Sequence, residues 1–424
     1  MSPWTPRTNS WLIEVLQGDL QQKEHRVNAP EIPALAEIDL TPVIAMATLE
    51  RMRRIEVPEL IARMLARPGA ANLLMNQFQL FTITGNRDFA LEMLGKALEL
   101  ASVYRIEGSR EPSIRLLALM GTGDMSDNTP LDYLIEDSDI RLDLLYIVPG
   151  KPLPHTIPDH DVAIIALGES GKNRPALEMM DRLVAHWPRP VLNHPRSILL
   201  CSRDGVYQRL NSIPGLLIPP TLRAGRQTLE RIASAGSAIG ELPAYPITVR
   251  PIDTQAGEGL GKIGNAAELG AYLAAESAQE FFVSSYVDYR SADGLYRKSR
   301  VALIAGLPYI CHLAIGEHWI VHYKSADMTA SAGKRAEENR FMRDFDSGFA
   351  LRHREALRLV AERLALDYVV IDCAETPDGK LLVFEADNRG WVHATDPVDI
   401  FRYKQAPMRK VFAAFRSMLF KAAK

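Results

Sequence analysis

Residues 368–389 read YVVIDCAETPDGKLLVFEADNR. Tyr368 to Cys373 is apolar and β-branched, and Lys380 to Asp387 is a second run of that kind. Pro377-Asp378-Gly379 between them is a turn sequence, so the stretch predicts a β-hairpin. With Asp378-Gly379 as a two-residue loop, Asp372 stands directly opposite Glu385. With Pro377-Asp378 as the loop, Asp372 moves opposite Val383 and Glu385 becomes its diagonal neighbour. Asp387 shares the face in both cases, because side chains repeat every second residue along a strand. A three-residue loop would separate the acids, so the expectation rests on an even loop.

Three carboxylates on one face repel by roughly 0.2–1 kcal/mol per like-charged pair. A hard cation between them relieves that repulsion, and Mg²⁺ takes Asp and Glu oxygens, usually together with phosphates. The alternative is an ordinary solvated polar face. The apolar neighbours Val370, Ile371, Val383 and Phe384 argue instead for a buried setting.

The whole chain of 424 residues is 47% hydrophobic and 24% charged, which suits about two to three domains with sizeable cores. Its net charge of −3 offers no global attraction for nucleic acid or an anionic membrane. No apolar run reaches the ~18 residues of a membrane span. The N-terminal stretch lacks the basic-then-apolar order of a secretory signal. Cys201, Cys311 and Cys373 show no CxxC spacing and predict buried thiols in a reducing, cytoplasmic compartment.

Residues 1–112 are helical in pattern, with short helices at Val43–Met52 and Leu60–Leu65 and two amphipathic helices joined at Gly85-Asn86. That pair is similar to a single tetratricopeptide-type unit. One unit cannot build a solenoid, so it predicts a helical cap on the next domain, with a docking surface for a protein partner as the alternative. Residues 113–195 alternate strands (Ile114–Met120, Leu142–Val148, Val162–Leu167) with a helix at Arg174–Trp187. This predicts a small, open, mostly parallel α/β domain.

Residues 196–424 open with a connecting helical region. Then come the strand YPITVRPID, the loop TQAGEGLGKI with Gly257, Gly259 and Gly261 at alternate positions, and the strand EFFVSSYVDY. An antiparallel pair turning at Gly306, a polar mobile loop at Ser325–Gly348 and an amphipathic helix at Leu351–Leu366 lead into the hairpin. The glycine loop is neither a Walker A loop nor a dinucleotide fingerprint. Either its N–H groups close over phosphates, with Arg250 and Lys262 adding positive charge, or it is a surface turn. Arg300, mid-strand, is costly there unless paired. It holds phosphate oxygens or a developing oxyanion, or it pairs with one of the carboxylates. His312, His318 and His322 lack partners at zinc spacing and predict core or substrate-facing roles.

Taken in order over about residues 113–420, these parts resemble the ATP-grasp superfamily. The resemblance implies a multidomain α+β and α/β chain: a two-lobed ATP-grasp domain over 196–424, the small parallel α/β domain before it, and an all-α helical domain over 1–112. It implies ATP between the lobes with one or two Mg²⁺, a substrate carboxylate activated as an acyl phosphate, and attack by an amine or thiol with release of ADP and phosphate. Carried over by position, Asp372 and Glu385 are Mg²⁺ ligands, and the third is Asp387 or, across a bulge, Asn388. Arg250 takes the place of a strand lysine at the α-phosphate. Gly257, Gly259, Gly261 and Lys262 cover the phosphates, and Ser284, Ser285, Tyr286 and Val287 are the hinge that holds adenine through its backbone. Arg300 steadies the transferring phosphoryl group. Arg389, Trp391 and His393 are expected at the substrate on position alone. The expected partners are a small-molecule or peptide carboxylate and an amine or thiol acceptor. The rival readings are a non-catalytic nucleotide-binding scaffold, a kinase without ligation, and a metal-dependent hydrolase.

Overall fold

A computed structural model describes residues 32–52, 62, 70–106, 108–235, 245–255 and 257–424. β1 (Ala34–Ala36) and α1 (Met46–Met52) precede α2 (Ala70–Ile83) and α3 (Arg87–Leu100). Gly85, at φ +79°, turns the chain between α2 and α3, a left-handed conformation that glycine adopts without steric cost. Met75, Phe78, Leu94 and Leu98 recur at helical spacing and pack on Leu116, Ala118, Leu142 and Leu144. The helical hairpin is therefore a layer on the sheet that follows it. Leu60–Leu65 lies, apart from Ala62, outside the described residues.

That sheet comprises β2 (Val103–Arg105), β3 (Ile114–Gly121), β4 (Ile140–Ile147), β6 (Val162–Ile165) and β7 (Val191–Leu192); β5 (Thr156–Pro158) pairs elsewhere. Its order is β2-β4-β3-β6-β7, parallel except for the edge strand β2. All of β6 and nearly all of β3 is buried, as expected of parallel strands covered on both faces. The expected mostly parallel sheet is present, and α4 (Arg174–Leu183) runs between its last two strands. The all-α expectation for residues 1–112 needs correction. β1 pairs with β5, Val43 bridges Ile106, and β2 extends the sheet. Strands of three residues carry too little alternation to be read against a helical pattern.

The rest of the chain builds two antiparallel sheets. α5 (Arg203–Leu210), β8 (Leu216–Leu217), β9 (Thr221–Gly225), α6 (Arg226–Ala235), β10 (Ile247–Pro251), β11 (Gly261–Ile263), α7 (Ala266–Ala275) and β12 (Glu280–Ser285) come first. The smaller sheet, β11-β10-β12-β9, is covered by α6 and α7 through Leu229, Ile232, Leu269 and Leu273. The larger sheet adds β13 (Tyr296–Ile304), β14 (Leu307–Gly316), β15 (Tyr368–Glu375) and β16 (Leu381–Asp387) in the order β14-β13-β15-β16-β8. Only its edge pair β16–β8 is parallel.

The polar stretch Ser325–Gly348, expected as a mobile loop, instead contains α8 (Ala332–Arg343). Its anchor is the fully buried Glu338, whose carboxylate accepts from the Leu313 N–H (3.1 Å), the Tyr323 hydroxyl (2.9 Å) and the Tyr403 hydroxyl (2.6 Å). A helix docked by a buried carboxylate leaves no mark in apolar periodicity. α9 (Arg354–Leu364) leads into β15, and α10 (Gln405–Ala422) closes the chain against β13 and β14. Among the described residues no helix is long and apolar enough to cross a membrane.

Candidate functional site

The hairpin turns through three residues, since the Thr376 N–H bonds the Lys380 carbonyl at 3.0 Å and Gly379 sits at φ +80°. This is the odd loop that would have separated the acids. A β-bulge corrects it: Cys373 faces Val383, yet Asp372 faces Glu385, so Phe384 is the extra residue. Asp387 lies opposite Val370, and all three acids share one face. The ring of the displaced Phe384 packs on Tyr289 with centroids 4.9 Å apart. The expected grouping is present, reached by two irregularities in place of none.

β13 lies against β15 with Arg300 opposite Asp372, and Lys298, two residues earlier, shares that face. Arg300 donates Nε–H to Asp372 Oδ1 (2.8 Å) and Nη2–H to Oδ2 (3.1 Å), while Lys298 Nζ reaches Oδ2 at 3.0 Å. Burial alone would raise the Asp372 pKa. Arg300 and Lys298 outweigh burial and hold the carboxyl well below the usual carboxylate range. Glu385 is held by Arg203 from the first turn of α5, and Asp387 by Arg389 (Nε to Oδ1, 2.9 Å). Each hairpin acid thus has an arginine partner, and the ion-pair alternative for Arg300 is the arrangement seen. His312, opposite Arg300 on β14, has its pKa depressed well below 6.5 by burial, then by Arg300 and Lys404. It is uncharged at neutral pH.

The glycine loop rests on the segment after β14: a Cβ on Gly257 (φ +79°) would stand 2.7 Å from His322 Nε2. Gly259 (φ +63°) offers its carbonyl to the Tyr272 hydroxyl at 2.7 Å, and a Cβ on Gly261 would press on the Tyr272 ring. Arg250 turns beneath the loop and donates to Thr254 Oγ1 from Nε (3.3 Å) and Nη2 (3.1 Å). Burial, then the nearby charge of Arg203, push its guanidinium down to about 10, so it keeps its charge at neutral pH. Lys262 Nζ stands 3.6 Å over the Tyr286 ring. In the hinge, Ser284 Oγ pairs with Thr221 Oγ1 at 2.8 Å. The Ser285 and Tyr286 N–H groups donate to the Pro220 and Pro246 carbonyls at 3.1 and 3.2 Å. Those two donors, expected to meet a base, are committed within the protein. Val287 packs into the cluster around Tyr289 and Phe384.

Beyond Asp387 the chain crosses to the first sheet. Asn388 is buried, its Nδ2 donating to the Leu167 carbonyl (2.9 Å) and its own carbonyl accepting from Thr129 Oγ1 (3.0 Å). It is turned away from the carboxylates, because the bulge lies at Phe384 and not beside Asp387. Arg389 lies across Gly168, where a Cβ would come 1.8 Å from Arg389 Cδ. The Trp391 and His393 rings are 4.4 Å apart, with Tyr133 beside Trp391 at 5.5 Å. Residues 388–393 therefore lie where β3 and β6 end, the carboxyl edge at which open α/β sheets take ligands.

Two residues of this cluster escaped the sequence reading. Lys298 had a readable signal, its two-residue spacing from Arg300. Arg203 had none, standing 182 residues from its partner Glu385.

Three carboxylates on one face of the hairpin are the hard oxygen donors that suit Mg²⁺. The same oxygens now hold cations, and among the described residues no three His, Cys, Asp or Glu side chains form a ready metal centre. The donor chemistry fits a metal once those cations are drawn elsewhere. No protein-family model and no curated protein matches the chain. Among solved structures it is similar to a RimK domain protein ATP-grasp from Sphaerobacter thermophilus, at 15% identity and a TM-score of 0.40, covering 72% of this chain and 99% of that one. It is also similar to the VanG D-Ala:D-Ser ligase of Enterococcus faecalis, at 13% identity and a TM-score of 0.43, covering 72% of this chain and 100% of that one.

Proposed function

We propose that this protein is a cytoplasmic ATP-dependent ligase of the ATP-grasp type. It activates a small-molecule or peptide carboxylate as an acyl phosphate for an amine or thiol acceptor. The observation that carries the reading is the interleaving of acids and cations under a glycine loop. Asp372, Glu385 and Asp387 share a face with Lys298 and Arg300, and Arg250 sits beneath the loop. Phosphoryl transfer asks the protein chiefly for positioning and neutralised charge.

In the first step a carboxylate oxygen attacks the γ-phosphorus and the bond to the ADP oxygen breaks. In the second the acceptor's lone pair attacks the acyl carbon, phosphate leaves, and the acceptor loses its proton. Arg300 and Lys298 offer fixed positive charge at the hairpin to the transferring group. The glycine loop, seated on His322, closes the phosphates from water. Arg389, at the mouth of the first sheet, takes the substrate carboxylate, with Trp391 and His393 beside it. Mg²⁺, when bound, would be held by Asp372, Glu385 and Asp387 and would neutralise phosphate charge.

The test is calorimetric titration of the full chain with ATP, with and without Mg²⁺, followed by a screen of acids and amines for ADP release. Micromolar binding and acid-dependent ADP release support the reading; a wild type that binds no ATP under either condition ends it. The second reading, a nucleotide-binding scaffold, is favoured by the commitment of all three acids and two hinge N–H groups to protein partners. It predicts ATP binding without turnover on any acid.

A further inference from the structure

Residues 400–424 contain seven lysines and arginines and no aspartate or glutamate, in a chain whose net charge is −3. α10 sets how they are arranged. Met408, Val411, Phe415, Met418 and Leu419 form its buried face. At about 100° per residue, Arg409 and Arg416 fall on one line of the opposite face, and Lys410 and Lys421 on a second line beside it. Between the two lines lie the exposed Ala406, Ala413 and Ser417, so small side chains floor the space between the cations. Arg402 extends the first line into the turn before the helix. The whole stripe is about 30 Å long.

The fold shows what these side chains hold. Lys410 Nζ donates to Asp346 Oδ2 at 2.8 Å, and Arg416 donates from Nε and Nη2 to the two Asp139 oxygens, each at 2.7 Å. Arg402, Arg409, Lys421 and Lys424 are exposed, and among the described residues they form no ion pair. Surfaces for single-stranded nucleic acid interleave cations with open aromatic rings. Here Phe412 and Phe420 are partly buried, and the Arg416 guanidinium covers the Phe420 ring at 4.1 Å. Helices that lie on membranes present large apolar side chains to the lipid, and α10 has spent its apolar face on the protein core. Carboxylates of a protein are the anions that remain.

We propose that the outer face of α10 docks an acidic segment of a partner protein, whose Asp and Glu side chains bridge the two lines of cations. One exposed ion pair contributes little, so recognition rests on several acting together and weakens as salt screens them. The surface lies on the side of α10 away from β13 and β14, and it stands whether or not the chain binds a nucleotide.

Fluorescence anisotropy of a labelled Glu-rich helical peptide of about twenty residues, titrated with the full chain at low and at high salt, tests the surface. The comparison ligand has Gln at every Glu. The acidic peptide is expected to bind at low salt and to be released by added salt. Arg409→Glu with Lys421→Glu is expected to weaken it by about tenfold or more. Arg182→Glu with Arg231→Glu, the same charge change at exposed positions of α4 and α6, is expected to change it by less than about twofold. Equal weakening in the two double variants means attraction by overall charge and overturns the surface, as does a wild type that binds both peptides alike or neither. Tighter binding of single-stranded DNA or of phosphatidylserine vesicles than of the peptide, lost in the α10 variant, assigns the face to another partner and also overturns the proposal. Should the reversals fail to fold, Arg409→Ala with Lys421→Ala decides, with a loss of at least about threefold expected.

Discussion

His312 is a half-buried imidazole facing Arg300 across the β13–β14 pair, and desolvation with the charges of Arg300 and Lys404 depresses its pKa. The unfolded chain, at about 6.5, therefore takes up this proton before the folded one does. Stability from this residue is complete above that pH and falls as the pH drops below it. Denaturant unfolding at pH 7.5 and 5.5 is expected to show a smaller loss for His312→Gln than for wild type; an equal loss would mean that another group carries the slope. Asp372 obeys the same sign lower on the scale. Its ion pairs contribute fully above about pH 4 and are lost only as the pH falls through its depressed value. Arg300 illustrates how far a single residue can be read in advance. A charge in mid-strand demanded a partner, and both an anionic ligand and a hairpin carboxylate satisfied that demand. Only the cross-strand register chose Asp372.

At the scale of elements, the turns carry the most local information. β13 and β14 join through Ala305 and Gly306, both at positive φ (+49° and +80°), with Ile304 opposite Leu307. This is the two-residue hairpin loop that favours Asn-Gly, and an alanine in the left-handed region costs roughly 1 kcal/mol or more. Ala305→Asn is expected to raise stability by about 0.5–1 kcal/mol, seen as a higher urea midpoint at unchanged slope; an unchanged midpoint would show that the turn is not strained. The acidic hairpin is the harder case. Its turn residues announced a hairpin, and Gly379 at positive φ suits a three-residue loop, but the bulge at Phe384 has no composition that marks it. Grouping of the acids was expected on an even loop; the turn is odd, and the bulge at Phe384 is what returns Asp372, Glu385 and Asp387 to one face.

Across the whole molecule, distant segments meet through buried polar groups. Lys404 Nζ donates to Asp396 Oδ2 (2.6 Å) and to the Tyr323 hydroxyl (2.8 Å), and it stands 3.7 Å from Glu338. It ties the chain before α10 to α8 and to Tyr323 in the segment after β14, whose ring lies 4.6 Å from that of His312. Lys404→Met leaves Glu338 buried without its cation and is expected to cost about 3–5 kcal/mol. Hydrogen exchange should quicken in α8 before it does in β15. Unchanged exchange in α8 would show that Glu338 docks that helix without Lys404.

Sequence alone determined the acidic hairpin, the mostly parallel sheet before it and the glycine loop between Arg250 and Lys262, whereas the shared face of Asp372, Glu385 and Asp387 needed the bulge at Phe384. The first three follow from local periodicity and turn chemistry, which act over a few residues and leave a mark in composition. Tertiary structure alone decided that β1 and β2 belong to sheets, that Ser325–Gly348 is docked through Glu338, that Asn388 turns toward the first sheet, and that Arg203 stands at Glu385. The physical reason is that a buried ion pair is set by which charges the fold brings within about 3 Å, where the local dielectric is low. Partners far apart along the chain leave no pattern in either segment.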